Sequence, residues 1–199
     1  NNIESGGMLD TENILGSNKS NNSGLGFLFT LDFRDNIFYT KKGWYFQSIF
    51  LFYQKTWGSD TNFSSQFFDF RHFFPVYRNH IIGYQILMNF TQGDVPFLLY
   101  PELGGDSNLR GIFKGRYRDE NMISLQFEYR FPLFWRLKGT LFGGLGDVSD
   151  DLYFKVKTFK PTYGLGLRAK ITKSHLTVRA DFGVFEGDIK VYFAALEAF

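Results

Sequence analysis

The residues able to do chemistry in this sequence are charged pairs set two positions apart: Asp32 with Arg34, Asp69 with Arg71, Glu128 with Arg130, and Arg179 with Asp181. On an extended strand, positions i and i+2 share a face, so each pair suits salt-linked filling of one side of a sheet rather than an acid and base tuned apart for proton transfer. A further arginine, Arg110, stands alone in the polar stretch SNLRGIFKG (107–115), just ahead of ISLQFEYRFPL (123–133). Two readings of it compete: a solvated turn residue, or a loop that folds back and carries its guanidinium inward. His72, His80 and His175 lie far apart with no metal-ligand spacing. No P-loop or nucleophile elbow occurs, and GLGDVSDD lacks the register of a calcium loop. Asp147, Asp150 and Asp151 read as a solvated turn cluster. No catalytic residue, metal site or cofactor is expected, and the chain reads as a non-enzyme.

The elements that would position these charges are strands. From Gly24 onward the chain is a series of period-two segments separated by turn residues, with no sustained helical period. In TYGLGLRAKI, Tyr163, Leu165, Leu167, Ala169 and Ile171 form one row; Gly164, Gly166, Arg168 and Lys170 form the other. In LTVRADFGV, Leu176, Val178, Ala180, Phe182 and Val184 oppose Thr177, Arg179, Asp181 and Gly183. ISLQFEYRF sets Leu125, Phe127, Tyr129 and Phe131 against Ser124, Gln126, Glu128 and Arg130. GLGFLFTLDF alternates likewise, with Leu28 an exception. WYFQSIFLFY, QFFDFRHFF, IIGYQILMNF, LKGTLFGGL and the closing KVYFAALEAF complete nine candidate strands. Residues 1–23, rich in Asn, Ser and Gly, read as a flexible N-terminal arm.

Composition narrows the class. The 199 residues suit one domain, and aromatics reach 20% with 26 Phe, so much ring surface needs an apolar setting. A net charge of +2 with scattered Lys and Arg disfavours nucleic acid. The absence of Cys removes disulfides and Cys-bound zinc. No run nears the roughly 18 apolar residues of a membrane helix. The sequence does not begin with Met, which is expected of a processed chain or a fragment.

Alternation alone does not say which row faces out, because soluble and membrane barrels share the period. The polar rows place Gly26, Gly83, Gly164, Gly166 and Gly183 among charges of both signs, as in a crowded lumen. The apolar rows carry hardly a charge, as lipid would require. Rings gather at segment ends (Trp44, Tyr53, Phe73, Phe74, Phe134, Trp135, Phe199), where an interfacial girdle would lie. The alternative on pattern is a soluble sandwich or lipid-binding barrel with an aromatic core.

The order of segments from Gly24 to Phe199 resembles the C-terminal barrel half of the BamA-like superfamily of outer-membrane assembly factors and two-partner secretion translocators, the bacterial surface antigen barrels. TLDFRDNIFYTKKGWYF resembles the family's strand, periplasmic turn and strand; LGGDSNLRGIFKG resembles the extracellular loop carrying its Arg-Gly-Phe/Tyr signature; FEYRFPL, TYGLGLR, LTVRADFG and the terminal Phe199 resemble later strands. The resemblance implies a short form without periplasmic repeat domains. Its loop-to-wall lock would be Arg110, Gly111 and Glu128, its lumen charge network Asp32, Arg130, Arg168, Arg179 and Asp181, and its C-terminal strand signal Phe193 and Phe199. Departures are Ile112, where the family prefers Phe or Tyr, and Gly144, where it carries an inward Asp that would accept from the loop arginine.

The expected fold is therefore an all-β, antiparallel transmembrane β-barrel over 24–199 with an inward-folded loop around Arg110. Antiparallel closure favours eight strands, with one of the nine off the wall; ten is the alternative if residues near 8–16 add one, and a third is that upstream strands lie outside this sequence. Kinship implies a place in the bacterial outer membrane, contact with its lipid, and insertion of outer-membrane proteins or translocation of polypeptide or lipid through a weak seam between first and last strands. The second reading is a passive structural or adhesive barrel whose loops or arm make contacts, self-association among them.

Overall fold

The computed structural model describes residues 15–16, 20–170 and 177–199. Most of the expected arm, and with it Ile171, His175 and Leu176, lies outside them. Where that N-terminal stretch is described it is held: the Leu15 carbonyl accepts the Phe97 N–H at 2.8 Å, and the Asn21 N–H donates to Asp60 Oδ2 at 2.7 Å.

Among the described residues nine strands form one antiparallel sheet: β1 (Gly24–Asp32), β2 (Gly43–Tyr53), β3 (Phe63–Tyr77), β4 (His80–Gly93), β7 (Asn121–Pro132), β8 (Leu137–Ser149), β9 (Lys160–Lys170), β10 (Thr177–Phe185) and β11 (Asp188–Ala195). A two-stranded ribbon, β5 (Glu102–Leu103) and β6 (Tyr117–Arg118), sits in the β4–β7 connection. Each wall strand pairs with its neighbours in the order given, and the edges β1 and β11 are not paired with each other. Among the described residues the sheet has nine strands and is open where an eight-strand closure was favoured, and most of the stretch near 8–16 that would add a tenth lies outside them. Eight antiparallel steps separate β1 from β11, so the two edge strands run in the same direction. An antiparallel seam between them is excluded by direction alone.

The two faces separate as alternation dictates. Phe127 (47% exposed), Leu165 (54%) and Phe182 (38%) point off the convex side, whereas Glu128 and Arg168 are buried on the concave side. A soluble barrel with its rings at the centre has the opposite arrangement. Glycines on the inward rows make room for bulk: a Cβ on Gly83 would stand 2.8 Å from the Phe73 ring, and one on Gly166 would collide with Asp181 and Arg168. Leu28 belongs to the inward row of β1, paired with Ile49, and stays exposed because nothing among the described residues covers that edge.

Connections differ at the two ends. At one end the chain reverses through Arg78 and Asn79 between β3 and β4, through 133–136, and through 33–42. At the other lie 54–62, 94–120 and 150–159, the longest of which turns back across the concave face. Its Leu103, Leu109 and Ile112 are fully buried against Leu87 of β4, Met122 of β7 and Phe185 of β10, so loop and inward rows each supply half of this apolar core.

The short-turn end is filled by a second cluster. Tyr39 of the 33–42 turn packs with Phe73, Ile81, Ala198 and Phe199, and Lys138 Nζ lies 3.2 Å from the centroid of the Tyr39 ring. The expectation that Phe73 and Phe199 belong to an outer girdle fails here, because both point inward at 1% and 4% exposure. Phe74, Phe134 and Trp135 keep the outward place. Phe199 is not part of the last strand either. β11 ends at Ala195, Leu196 takes φ 70°, and the chain turns inward, with the Leu196 N–H donating to the Thr177 carbonyl at 2.7 Å. Phe193 alone of the two expected terminal residues lies on β11, and it faces outward.

Burial pushes the Tyr39 phenol up to about 12 from its usual 10. A group whose folded value is raised stabilises fully below its unfolded value, so stability should hold to about pH 10 and fall by roughly 2 to 3 kcal/mol as pH rises to about 12. A urea-unfolding series from pH 9 to 12 should show that decline, and Tyr39→Phe should remove the part of it that Tyr39 contributes.

Candidate functional site

All four i, i+2 pairs form across the sheet: Arg34 to Asp32 at 2.7 Å, Arg71 to Asp69 at 2.5 Å, Arg130 to Glu128 at 2.7 Å, and Arg179 to Asp181 at 2.8 Å. The last two merge into one buried network around Arg110. The loop carries Arg110 to the concave face, where its side chain is 0% exposed and Nη1 donates to Glu128 Oε1 at 2.9 Å and to Asp181 Oδ2 at 3.0 Å. Arg168 on β9 donates Nη2 to Glu128 Oε1 at 3.1 Å and Nη1 to Asp181. Glu128 on β7 and Asp181 on β10 thus each serve three guanidinium groups. Charges so far from water persist only when paired in this way.

Asp32 is not part of this network. It pairs with Arg34 at the β1 edge, beside Tyr45, whose ring lies under Arg34 and Arg71. A separate chain of bonds runs from Arg71 through Asp69 to Gln85, then to Gln126, whose Nε2 also donates to the Ser107 carbonyl of the loop.

Both departures from the resemblance find a physical account. Gly144 lies where a Cβ would stand 2.6 Å from Leu109 Cδ1, and Gly146 where one would stand 2.7 Å from Leu103 Cδ1, so these glycines form the bed of the loop's apolar side. The acceptor missing from β8 comes instead from Asp181 on β10. Ile112 fills the apolar core with no ring to stack, and the aromatic partner of Arg110 is Phe142, whose centroid is 3.8 Å from the guanidinium carbon.

Gly111 takes φ 114°, which a side chain would resist. Its N–H donates to the Tyr192 hydroxyl at 3.1 Å, and that hydroxyl donates to the Ile112 carbonyl at 3.2 Å. The loop backbone lies against β10 so closely that a Cβ on Gly183 would be 2.7 Å from the Gly111 nitrogen.

Four participants were not singled out by the sequence reasoning. Asp106, within the loop, accepts from Arg179 Nη2 at 2.9 Å, and Glu197, on the inturned tail, accepts from Arg168 Nε at 2.8 Å. Phe142 and Tyr192 are the other two. Only Glu197 carried a usable signal, as a lone carboxylate in the apolar run AALEAF. With them the account balances: Arg110, Arg130, Arg168 and Arg179 face Asp106, Glu128, Asp181 and Glu197.

Comparison with known proteins follows the same lines. The Omp85 superfamily domain matches residues 3–185. The crystal structure of BamA from Haemophilus ducreyi lacking POTRA domains 1–3 is similar in fold, with a TM-score of 0.69 at 12% sequence identity over 86% of this chain. This chain covers 41% of that one. No curated protein matches.

Removing Glu128 should leave three guanidinium groups without a shared acceptor, so Glu128→Ala should cost about 3 to 5 kcal/mol in denaturant unfolding. Gly183→Ala should push the loop from β10, lowering stability by about 1 to 3 kcal/mol and raising limited-proteolysis cleavage within 104–118.

Proposed function

Because this chain belongs to the Omp85 superfamily, we propose that it forms part of an outer-membrane β-barrel of a bacterium that inserts outer-membrane proteins or translocates polypeptide. The observations that support this reading are the superfamily match over residues 3–185 and, among the described residues, a sheet whose edges β1 and β11 run in the same direction. A gap bounded by two like-running edges is completed in antiparallel fashion by an odd number of strands, of which one is the least. A single extended segment with alternating apolar and polar residues, such as an unfolded outer-membrane polypeptide presents, matches that requirement on both edges. The exposed apolar rows of β1, β9 and β11 match a hydrocarbon surround. The reading involves no reaction chemistry, since Glu128 and Asp181 are each engaged by arginines.

A second reading, a passive scaffold or adhesive barrel, is favoured by the filled concave face: the loop and its charge network occupy the space a conduit would need. Depletion separates the two. Loss of other outer-membrane barrels supports the first, and unchanged levels support the second. A photo-cross-linking residue in place of Phe29 on β1 or Val191 on β11 should capture unfolded outer-membrane polypeptides under the first reading and none under the second. Membrane residence has its own check: Leu165→Arg, on the convex row of β9, should cost about 2 to 4 kcal/mol in lipid vesicles. An unaltered unfolding midpoint there would place the convex face out of lipid.

A further inference from the structure

We infer that the carboxylate of Glu128 couples the long loop at one mouth of the sheet to a plug at the other, so that loop and plug dock and release together. The plug consists of the 33–42 turn and the inturned tail 196–199. The two oxygens of Glu128 divide the work. Oε1 accepts from Arg110 of the loop at 2.9 Å, while Oε2 accepts Nε and Nη2 of Arg130 at 2.9 and 2.7 Å. Arg130 then reaches the plug, donating Nη2 to the Phe199 carbonyl at 3.1 Å and Nη1 to the Thr40 carbonyl at 3.4 Å, with its guanidinium 5.1 Å from the Phe73 ring centroid. Arg168 forms a parallel route: it touches Glu128 Oε1 beside Arg110 and gives its Nε to Glu197 of the tail.

Charge accounting gives the coupling its sign. The wall carries Arg130, Arg168 and Arg179 against Glu128 and Asp181, an excess of one positive charge that Glu197 neutralises only when the tail is in. With Glu197 withdrawn, Arg130 and Arg168 draw more heavily on the two wall carboxylates, and those are the acceptors Arg110 needs. Tail docking therefore strengthens loop docking, and by linkage the loop strengthens the tail. This goes beyond the proposed insertion role, because it holds whatever the barrel handles and whether or not the seam opens.

The chain has no cysteine, so single introduced thiols report each mouth in the intact chain. Ala198→Cys reports the plug and Leu103→Cys the loop, both at sites that are buried in the docked state. In an Arg110→Met background, maleimide labelling at position 198 should accelerate by between about 5-fold and 150-fold, and Glu197→Gln should accelerate labelling at position 103 in the same range. Arg78→Met, a change at an exposed turn arginine whose guanidinium lies over the Tyr77 ring and outside both networks, should leave both rates as they are. Arg110→Lys, which keeps the charge and loses the planar fork, gives a milder version should Arg110→Met fail to assemble, with heat-modifiable gel migration reporting assembly. The inference is overturned if position 103 is freed by either Arg110 variant while position 198 labels at its original rate, or if neither variant frees position 103.

Discussion

Four guanidinium groups held out of water impose the constraint on which this structure rests. Each must meet a carboxylate within hydrogen-bond reach, and the wall alone supplies Glu128 and Asp181. The remaining negative charges arrive on segments that are not wall at all, Asp106 on the loop and Glu197 on the tail. The charges of this network therefore balance only when both segments are in place. Their positions are fixed by electrostatic need as much as by the apolar packing of Leu103, Leu109, Ile112 and Phe199.

Shape and charge act together at each contact. Gly183 lets the loop backbone reach β10, Gly144 and Gly146 admit Leu109 and Leu103, and Gly166 leaves room for the Arg168 and Asp181 side chains. The Arg110 side chain then needs one further neighbour, which Phe142 provides with its ring face. In this arrangement the glycines serve as space for partners from elsewhere in the chain rather than as points of bending.

Much of this was legible along single strands. Alternation assigned Phe127, Leu165 and Phe182 to one face and Glu128, Arg168 and Asp181 to the other, and the i, i+2 charge pairs were visible because strand geometry is local. Contacts between distant segments were not. Asp181 is 71 positions from Arg110, and no periodicity links them. The tail read as a continuation of β11 because AALEAF is as apolar as the strand before it, yet the left-handed turn at Leu196 carries it inward. Strand number was not legible for a related reason: an even count is a property of closure, and nothing local announces whether two edges meet.

The common direction of β1 and β11 bears on symmetry. Two copies of this sheet standing side by side in one bilayer, related by an axis along its normal, bring like-running strands together at every junction. The one axis that would oppose them lies in the membrane plane and turns a copy upside down, with its long loop on the wrong side. A twin is thus a poor complement for these edges. What completes the edges of the described sheet antiparallel is an odd number of strands, the outermost of them running the other way.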